Sequence, residues 1–134
     1  MERKCDQSGV VAYRVHGGVL EVLLVTTRTK GRWIIPKGNI EAELGSRGSA
    51  RREAYEEAGV RGHLHLVPIG HYEYSESSDK HRVEVFLMKV ERELSVWPEA
   101  HERERQWMPI KQALEVVDEK GLKPILWMAA ELLH

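Results

Sequence analysis

The sequence predicts an α/β fold in which helices cover both faces of a mixed β-sheet. Apolar segments of strand length lie on either side of a charged, helix-like segment, and two more helix-like segments close the chain. This alternation of elements fits a sheet between helices. With 134 residues, 42% hydrophobic and 31% charged, the chain is expected to form one domain over residues 1–134 with one core.

The first two predicted strands, residues 9–15 and 20–27, flank the turn signal His16-Gly17-Gly18. Both are almost continuously apolar, which is typical of strands buried on both faces. The other predicted strands are residues 33–35, 64–74, 83–90 and 106–108. Between the last two, residues 91–105 are charged and are predicted to be irregular, because Pro98 interrupts any strand there.

The first predicted helix lies within residues 46–59. Ser46 or Ser49 is suited to cap its start, and Gly59 is suited to its end because glycine tolerates left-handed geometry. Pro109 favours the start of a second helix that runs to about residue 119. A third helix is predicted over residues 125–133, and its Trp127 and Leu132 are expected in the core.

Three carboxylates on the first helix are the main functional signal. Glu53, Glu56 and Glu57 are spaced i, i+3 and i+4, which places them on one helix face, where like charges repel. A divalent cation reverses that repulsion, and Mg²⁺ prefers such oxygen ligands together with substrate phosphate. The alternative is a solvated acidic face that Arg51 and Arg52 neutralise.

The surrounding residues resemble the box of the Nudix hydrolase family, G-x5-E-x7-R-E-U-x-E-E-x-G-U, where U is apolar. The matching residues are Gly38, Arg52, Glu53, Ala54, Glu56, Glu57, Gly59 and Val60. Leu44 stands where the box has its first glutamate, and Glu41 or Glu43 is a candidate to replace that carboxylate. The departure bears on the number of metal ions more than on the reaction.

The resemblance implies the Nudix fold, an α/β/α sandwich, and a Mg²⁺-dependent hydrolase of diphosphate linkages, with Mn²⁺ as an alternative ion. Flanking segments are similar to the diphosphoinositol polyphosphate phosphohydrolase branch, whose members also cleave diadenosine polyphosphates. Those segments are residues 23–25, 32–36, 80–82, 103–107 and 123–124.

The resemblance also assigns roles to individual residues. Glu53, Glu56 and Glu57 are expected to hold the metal, with a backbone carbonyl at Lys37 or Gly38 as a further ligand. Glu56 or Glu57 is expected to accept a proton from the attacking water, and Arg52 to orient the glutamates. Cations predicted to bind substrate phosphates are Arg28, Arg32, Lys80, His81, Arg82, Arg103, Arg105 and Lys123, with Lys30 as a further candidate.

Composition limits the partners. The net charge of −1 provides no overall attraction to DNA or to an anionic membrane, so a small polyphosphate is the expected partner. Met1 to Gln7 is polar and resembles no signal peptide, and the single Cys5 fits a reducing cytoplasm. A monomer and a homodimer both remain open.

Two other functions compete with this interpretation. Removal of pyrophosphate from RNA 5′ ends would favour an aromatic clamp for a base, for which Tyr72, Tyr74 and Trp97 are candidates. A non-catalytic Nudix domain that senses a nucleotide is the second, and only Leu44 favours it, because the three box glutamates are intact.

Overall fold

The structure is a computed structural model that describes residues 4–133, and this part of the chain forms eight strands and three helices. The strands are β1 Gln7–His16, β2 Val19–Thr26, β3 Trp33–Ile34, β4 Lys37–Asn39, β5 Val60–Leu64, β6 Gly70–Glu76, β7 Asp79–Glu93 and β8 Arg105–Pro109. The helices are α1 Gly45–Ala58, α2 Ile110–Val116 and α3 Leu122–Leu133. None of the three has the length and apolar character that a bilayer-crossing helix requires.

The described strands join one mixed sheet, as predicted. Its main order is β3-β2-β1-β7-β5, and β4, β6 and β8 pair with β1, β7 and β2. Strand β1 runs parallel to β7 and antiparallel to β2. Long strands of this kind need cover on both faces, and the almost continuously apolar sequences of β1 and β2 supply two apolar faces.

Two apolar layers confirm the α/β/α arrangement. On one face of the sheet, Ala50, Ala54 and Ala58 of α1 pack against a cluster that includes Val10 and Leu23. On the other face, α2 and α3 cover a cluster built on alternate strand residues such as Val11, Tyr13 and Leu24. Each fully buried leucine contributes about 1.5–3 kcal/mol through burial. The small alanines let α1 lie close to the sheet.

The predicted strand over residues 64–74 is wrong, because two strands occupy this region. Strand β5 pairs with Met88–Glu93 of β7, and β6 pairs with the earlier part of β7, so the two lie end to end along one partner. The connecting segment contains Pro68, which has no N–H group for a sheet hydrogen bond. Strand β7 is correspondingly longer than predicted, and the short β4 was not anticipated.

Several predicted helix details also differ. Neither Ser46 nor Ser49 caps α1: the Ser46 hydroxyl donates to Glu84 at 2.6 Å, and the Ser49 hydroxyl accepts from the Glu41 N–H at 2.9 Å. The second helix ends at Val116, and α3 begins at Leu122.

The end of α1 is as predicted, whereas the packing of α3 is not. Gly59 ends α1 with a left-handed φ of 65°. Trp127 and Leu132 are 62% and 64% exposed, so their expected place in the core is wrong. The residues that α3 buries are Leu122, Ile125, Leu126 and Ala129. One apolar stripe is enough to attach a helix to the sheet, so its other apolar residues stay at the surface.

Candidate active site

A polar cleft of about 480 Å³ opens where β4 and the second half of α1 meet the loop after β2. Its carboxylates belong to Glu41, Glu53, Glu57, Glu76 and Glu99, and its cations to Arg28, Lys37 and Arg103. A second cavity of about 630 Å³ adjoins it and shares Thr27, Thr29, Lys37, Tyr74 and Glu76. Because they share these residues, the two cavities form one groove.

Glu57 is the most firmly held carboxylate of the cleft. One of its oxygens accepts from the Lys37 backbone N–H at 3.1 Å, and the other accepts from Arg103 Nη2 at 3.2 Å. Burial raises the pKa of Glu57 to about 8, against the attraction of Arg103 and with the support of the neighbouring Glu53 charge. The carboxylate is therefore fixed in place. The positive charge near it does not fully offset the desolvation of its ionised form, so an added cation would stabilise it.

Glu53 lies against Gly38. A Cβ placed on Gly38 would stand 2.4 Å from the Glu53 carboxyl carbon, so a larger residue there would displace the Glu53 carboxylate. Burial raises the pKa of Glu53 to about 7, and the charge of Glu56 adds to the shift. The backbone of β4 thus closes one side of a carboxylate pair that includes Glu57. The hard oxygen donors at this place suit a divalent cation such as Mg²⁺.

Glu56 is oriented differently from the other two. It accepts from Arg52 Nε at 2.9 Å, and Arg52 also donates to Glu41 at 2.6 Å, so this cluster lies on the exposed side of α1. Glu56 does not line the cleft. Within residues 4–133 no group of three or more Asp, Glu, His or Cys side chains is already arranged around one metal position. The donor chemistry fits a divalent ion, and Glu53 with Glu57 forms the part that is already assembled.

Four of the predicted phosphate-binding cations line the groove. Arg28 and Arg103 line the first cavity, and Arg32, together with Lys30, lines the second. The three arginines pair with carboxylates: Arg28 with Glu102, Arg32 with Asp118, and Arg103 with Glu57 and Glu99. The groove is consequently much less basic than a count of its arginines indicates.

The remaining predicted cations lie outside both cavities: Lys80, His81, Arg82, Arg105 and Lys123. His81 pairs with Asp6, and the buried Arg82 contacts the ring of His71. Arg105 donates to the backbone carbonyls of Ala58 and Leu94. Lys80 is the second residue of β7, and Lys123 lies in the first turn of α3. Their predicted role in substrate binding remains a prediction.

The ion pairs that Glu99, Lys37 and Glu119 make in the groove were not predicted from the sequence. Glu99 comes from the segment predicted to be irregular, and its spacing of four residues before Arg103 is the available sequence signal for their ion pair. The Lys37 ammonium is buried and lies 3.2 Å from Glu119. Glu119 is held in turn by the Tyr72 hydroxyl at 2.7 Å. These contacts join the segment between α2 and α3 to β4.

Comparison with known proteins agrees with this architecture. The NUDIX domain family matches residues 6–128. Nudix hydrolase 12, mitochondrial, of Arabidopsis thaliana is 39% identical over 105 residues, covering 72% of this chain and 52% of the relative. Diphosphoinositol polyphosphate phosphohydrolase 3-alpha of Mus musculus is 41% identical over 100 residues, covering 72% and 60%. This chain therefore spans between half and two thirds of the length of these relatives.

Solved structures show the same fold. The crystal structure of Caenorhabditis elegans Ap4A hydrolase superposes with a TM-score of 0.78 at 22% identity, covering 96% of this chain and 97% of that chain. A NUDIX hydrolase from Nitrosomonas europaea gives a TM-score of 0.77 at 16% identity, covering 96% and 90%. Nudix hydrolases generally use a divalent metal ion. The residues of the box, the fold and the family match together show that this chain belongs to the Nudix family.

Proposed function

We propose that this chain is a Mg²⁺-dependent pyrophosphohydrolase that cleaves a diphosphate linkage in a highly phosphorylated small molecule. The single observation that carries the proposal is the pair of enclosed carboxylates, Glu53 and Glu57, that lines a cleft of about 480 Å³. A buried carboxylate beside a partly buried one is unfavourable unless a cation or a proton joins them. The names of the mouse and nematode relatives support diphosphoinositol polyphosphate or diadenosine polyphosphate as the substrate.

Glu53 and Glu57 are the proposed core of a Mg²⁺ or Mn²⁺ site, with the backbone carbonyl of Lys37 or Gly38 beside them. Glu56 joins the proposed set on the strength of the box, and in this structure it bonds to Arg52. When bound, a divalent ion neutralises the diphosphate and acidifies a water molecule.

The protein groups divide the remaining work. Of the two glutamates that the resemblance indicates as the base, Glu57 lines the cleft and Glu56 does not, which favours Glu57 as the proton acceptor. Arg103 and the Lys37 N–H hold its two oxygens and fix its direction. Arg52 is proposed to hold Glu56 and Glu41 rather than substrate.

Three cations along the groove are the proposed contacts for the substrate phosphates: Arg28, Arg32 and Lys37. Each now pairs with a carboxylate outside the box, so an incoming phosphate must replace that partner. Exchange of one anion for another retains a charge-assisted bond, so it costs less than leaving a buried cation unpaired. Such a groove favours phosphorylated substrates over neutral ones. Arg103, which the resemblance also assigned to substrate, is instead proposed to hold Glu57.

The RNA 5′ end is the less favoured substrate, because Tyr74 is the only one of the three candidate clamp rings that lines the groove. The Tyr72 ring is buried, and Tyr74 contacts the Lys37 ammonium at 4.3 Å and the His81 ring at 5.1 Å. Trp97 is stacked beneath Arg105 at 3.8 Å. All three candidate rings for a base clamp are engaged within the described protein. The cytoplasm remains our proposed location, although the plant relatives carry mitochondrial or chloroplastic names.

A substrate panel tests the proposal. The purified chain is incubated with Mg²⁺ and diadenosine tetra-, penta- or hexaphosphate, an inositol pyrophosphate, ADP-ribose, or capped and triphosphorylated RNA. We expect cleavage of the inositol pyrophosphate or a diadenosine polyphosphate, and loss of that cleavage on chelation. Binding of a panel member without cleavage in Mg²⁺ or Mn²⁺ would instead identify a non-catalytic sensor. Preferential cleavage of RNA would support the competing enzyme.

A further inference from the structure

The segment predicted to be irregular forms a clamp, residues 94–105, around the end of α1. The last carbonyls of a helix have no partner within the helix and must find donors elsewhere. The Tyr55 carbonyl accepts from the Gly59 N–H at 3.0 Å. The next three accept from the clamp: Glu56 from the Glu99 N–H at 3.0 Å, Glu57 from Trp97 Nε1 at 3.2 Å, and Ala58 from Arg105 Nη1 at 2.9 Å. Every orphan carbonyl at this end of α1 is thereby satisfied.

Trp97 and Arg105 form the centre of the clamp. The guanidinium lies 3.8 Å from the centroid of the indole ring. Both side chains press on Gly59, where an added Cβ would lie 2.7 Å from Arg105 Nη1 and 2.8 Å from the Trp97 ring. Arg105 also donates to the Leu94 carbonyl at 2.6 Å, which ties the two ends of the clamp together. The last turn of α1 is therefore enclosed, and it cannot fray in the way that exposed helix ends do.

Glu57 is the residue held most completely by this arrangement. Trp97 fixes its backbone carbonyl, and Arg103, also from the clamp, fixes its carboxylate. We infer that Trp97 and Arg105 are positioning residues of the active site, which set the place of the Glu57 backbone and hence the direction of its carboxylate. The inference rests on the proposed function. It gives Arg105 a role away from substrate, in contrast to the expectation from sequence.

The described residues contain a similar pair of side chains whose hydrogen bonds do not go to α1. Arg14 lies 4.2 Å from the centroid of the Trp107 ring, and Trp107 Nε1 donates to Glu93 at 2.5 Å. Trp107 thus has the same chemistry as Trp97, an arginine over the ring and one N–H hydrogen bond. The difference is that its acceptor is the carboxylate of Glu93 on β7 rather than a carbonyl of the box helix. Glu93 also pairs with Arg105, at 3.6 Å, so Trp107→Phe additionally shows how much this ion pair contributes.

The experiment compares Trp97→Phe with Trp107→Phe. Each change keeps an aromatic ring and removes one N–H donor. For Trp97→Phe we expect kcat to fall roughly tenfold with KM within about twofold, and Mn²⁺ affinity without substrate to weaken roughly tenfold, as for other groups that orient a metal ligand. Trp107→Phe should leave both quantities within about twofold of the parent chain. Mn²⁺ binding is measured from the spin resonance signal of the unbound ion.

Equal effects of the two changes on kcat and Mn²⁺ affinity, or no effect of either, would overturn the inference. Arg105→Lys provides a second route if Trp97→Phe folds poorly, since lysine keeps the charge and loses the fork, and Arg14→Lys is its control. We expect the same split between kcat and KM. If the parent chain cleaves no member of the panel, the proposed function fails, while the Mn²⁺ comparison still decides whether Trp97 and Arg105 position the glutamates.

Discussion

The two ends of α1 are built very differently. At the amino end, Leu44 occupies the cap position, Gly45 has a φ of 69°, and no side chain of residues 4–133 makes a cap hydrogen bond. At the carboxyl end, every terminal carbonyl has a donor, and most of these donors come from the clamp. The same helix thus begins without a side-chain cap and ends enclosed by the side chains of the clamp.

The difference follows the position of the glutamates. Glu53, Glu56 and Glu57 lie in the last turns of α1, where the negative end of the helix dipole disfavours a carboxylate by about 0.3–1 kcal/mol. Repulsion between the carboxylates adds to this. The donors and cations of the clamp offset both effects where the chemistry is proposed to occur. The amino end of α1 carries none of the three box glutamates, so it needs no comparable set of donors and cations.

Glu57→Gln tests the enclosed end most directly. The amide keeps the shape of the side chain but loses the charge and the ability to accept a proton. We expect kcat with Mg²⁺ and the best substrate of the panel to fall at least roughly a hundredfold. Glu115→Gln, on the exposed side of α2, is the control and should retain full activity. Near-normal turnover of Glu57→Gln would refute the assignment of Glu57.

Gly59→Ala and Gly45→Ala compare the two ends by stability. Both glycines have left-handed φ, 65° and 69°, so each alanine carries strain of about 1–2 kcal/mol. At Gly45 nothing lies within 4 Å of the new Cβ, whereas at Gly59 the Cβ meets Trp97 and Arg105. We expect Gly59→Ala to lower the free energy of unfolding in urea by about 2 kcal/mol more than Gly45→Ala. An equal loss of unfolding free energy in the two variants would show that Trp97 and Arg105 can move aside at no cost.

Glu53→Gln tests whether the Glu53 charge, which the proposed metal site needs, destabilises the metal-free protein. Burial raises the folded-state pKa of Glu53 to about 7 from an ordinary value of 4.5, so folding takes up protons between these limits. The Glu53 contribution to the free energy of unfolding therefore falls as pH rises from 4.5 through 7. We expect metal-free Glu53→Gln to melt like the parent chain near pH 4.5 and about 2–4 °C higher above pH 8, while losing activity.

Calorimetry in EDTA across this pH range measures the difference. Glu43→Gln is the stability control, since Glu43 is exposed in the turn before α1. A melting difference that does not change with pH would mean that the Glu53 charge is not the source of the instability.

Ser46→Ala tests the open end and should have the smallest effect. Because the Ser46 hydroxyl bonds to Glu84 and not to the first turn of α1, its loss should cost about 0.5 kcal/mol and leave kcat within about twofold. Urea unfolding and steady-state kinetics measure the two quantities. A loss near 2 kcal/mol, together with lower helix content, would indicate that Ser46 caps the helix after all.

The sequence anticipated the site unevenly. The box spacing placed Glu53, Glu56 and Glu57 on one helix face, and the structure divides them between the cleft and the exposed side of α1. At about 100° per residue, Glu56 and Glu57 lie on opposite sides of Glu53, about 60° and 40° away. Which of them meets the cleft depends on where β4 and the clamp approach α1. The structure turns Glu57 inward and leaves Glu56 with Arg52.

Residues from distant segments were the hardest to predict. Trp97, Glu99 and Arg103 approach Glu57 across 40 or more positions of the chain, and no local periodicity reports such contacts. The contacts of Arg105 were equally hard to predict. Its charge suggested a phosphate contact, but in the structure it donates to the backbone carbonyls of Ala58 and Leu94. Trp127 was expected in the core for its size, and only the orientation of α3 decides that it is exposed.

The sequence by itself determined the family, the order of the main strands and helices, and the glycine at the end of α1. These depend on local spacing and on backbone preferences that neighbouring residues set. The tertiary structure alone decided which carboxylates share the cleft, which cations reach it and which donors satisfy the end of the helix. Those outcomes depend on contacts between segments far apart in the chain, and burial at such contacts determines whether a charge is paired, shifted in pKa or exposed.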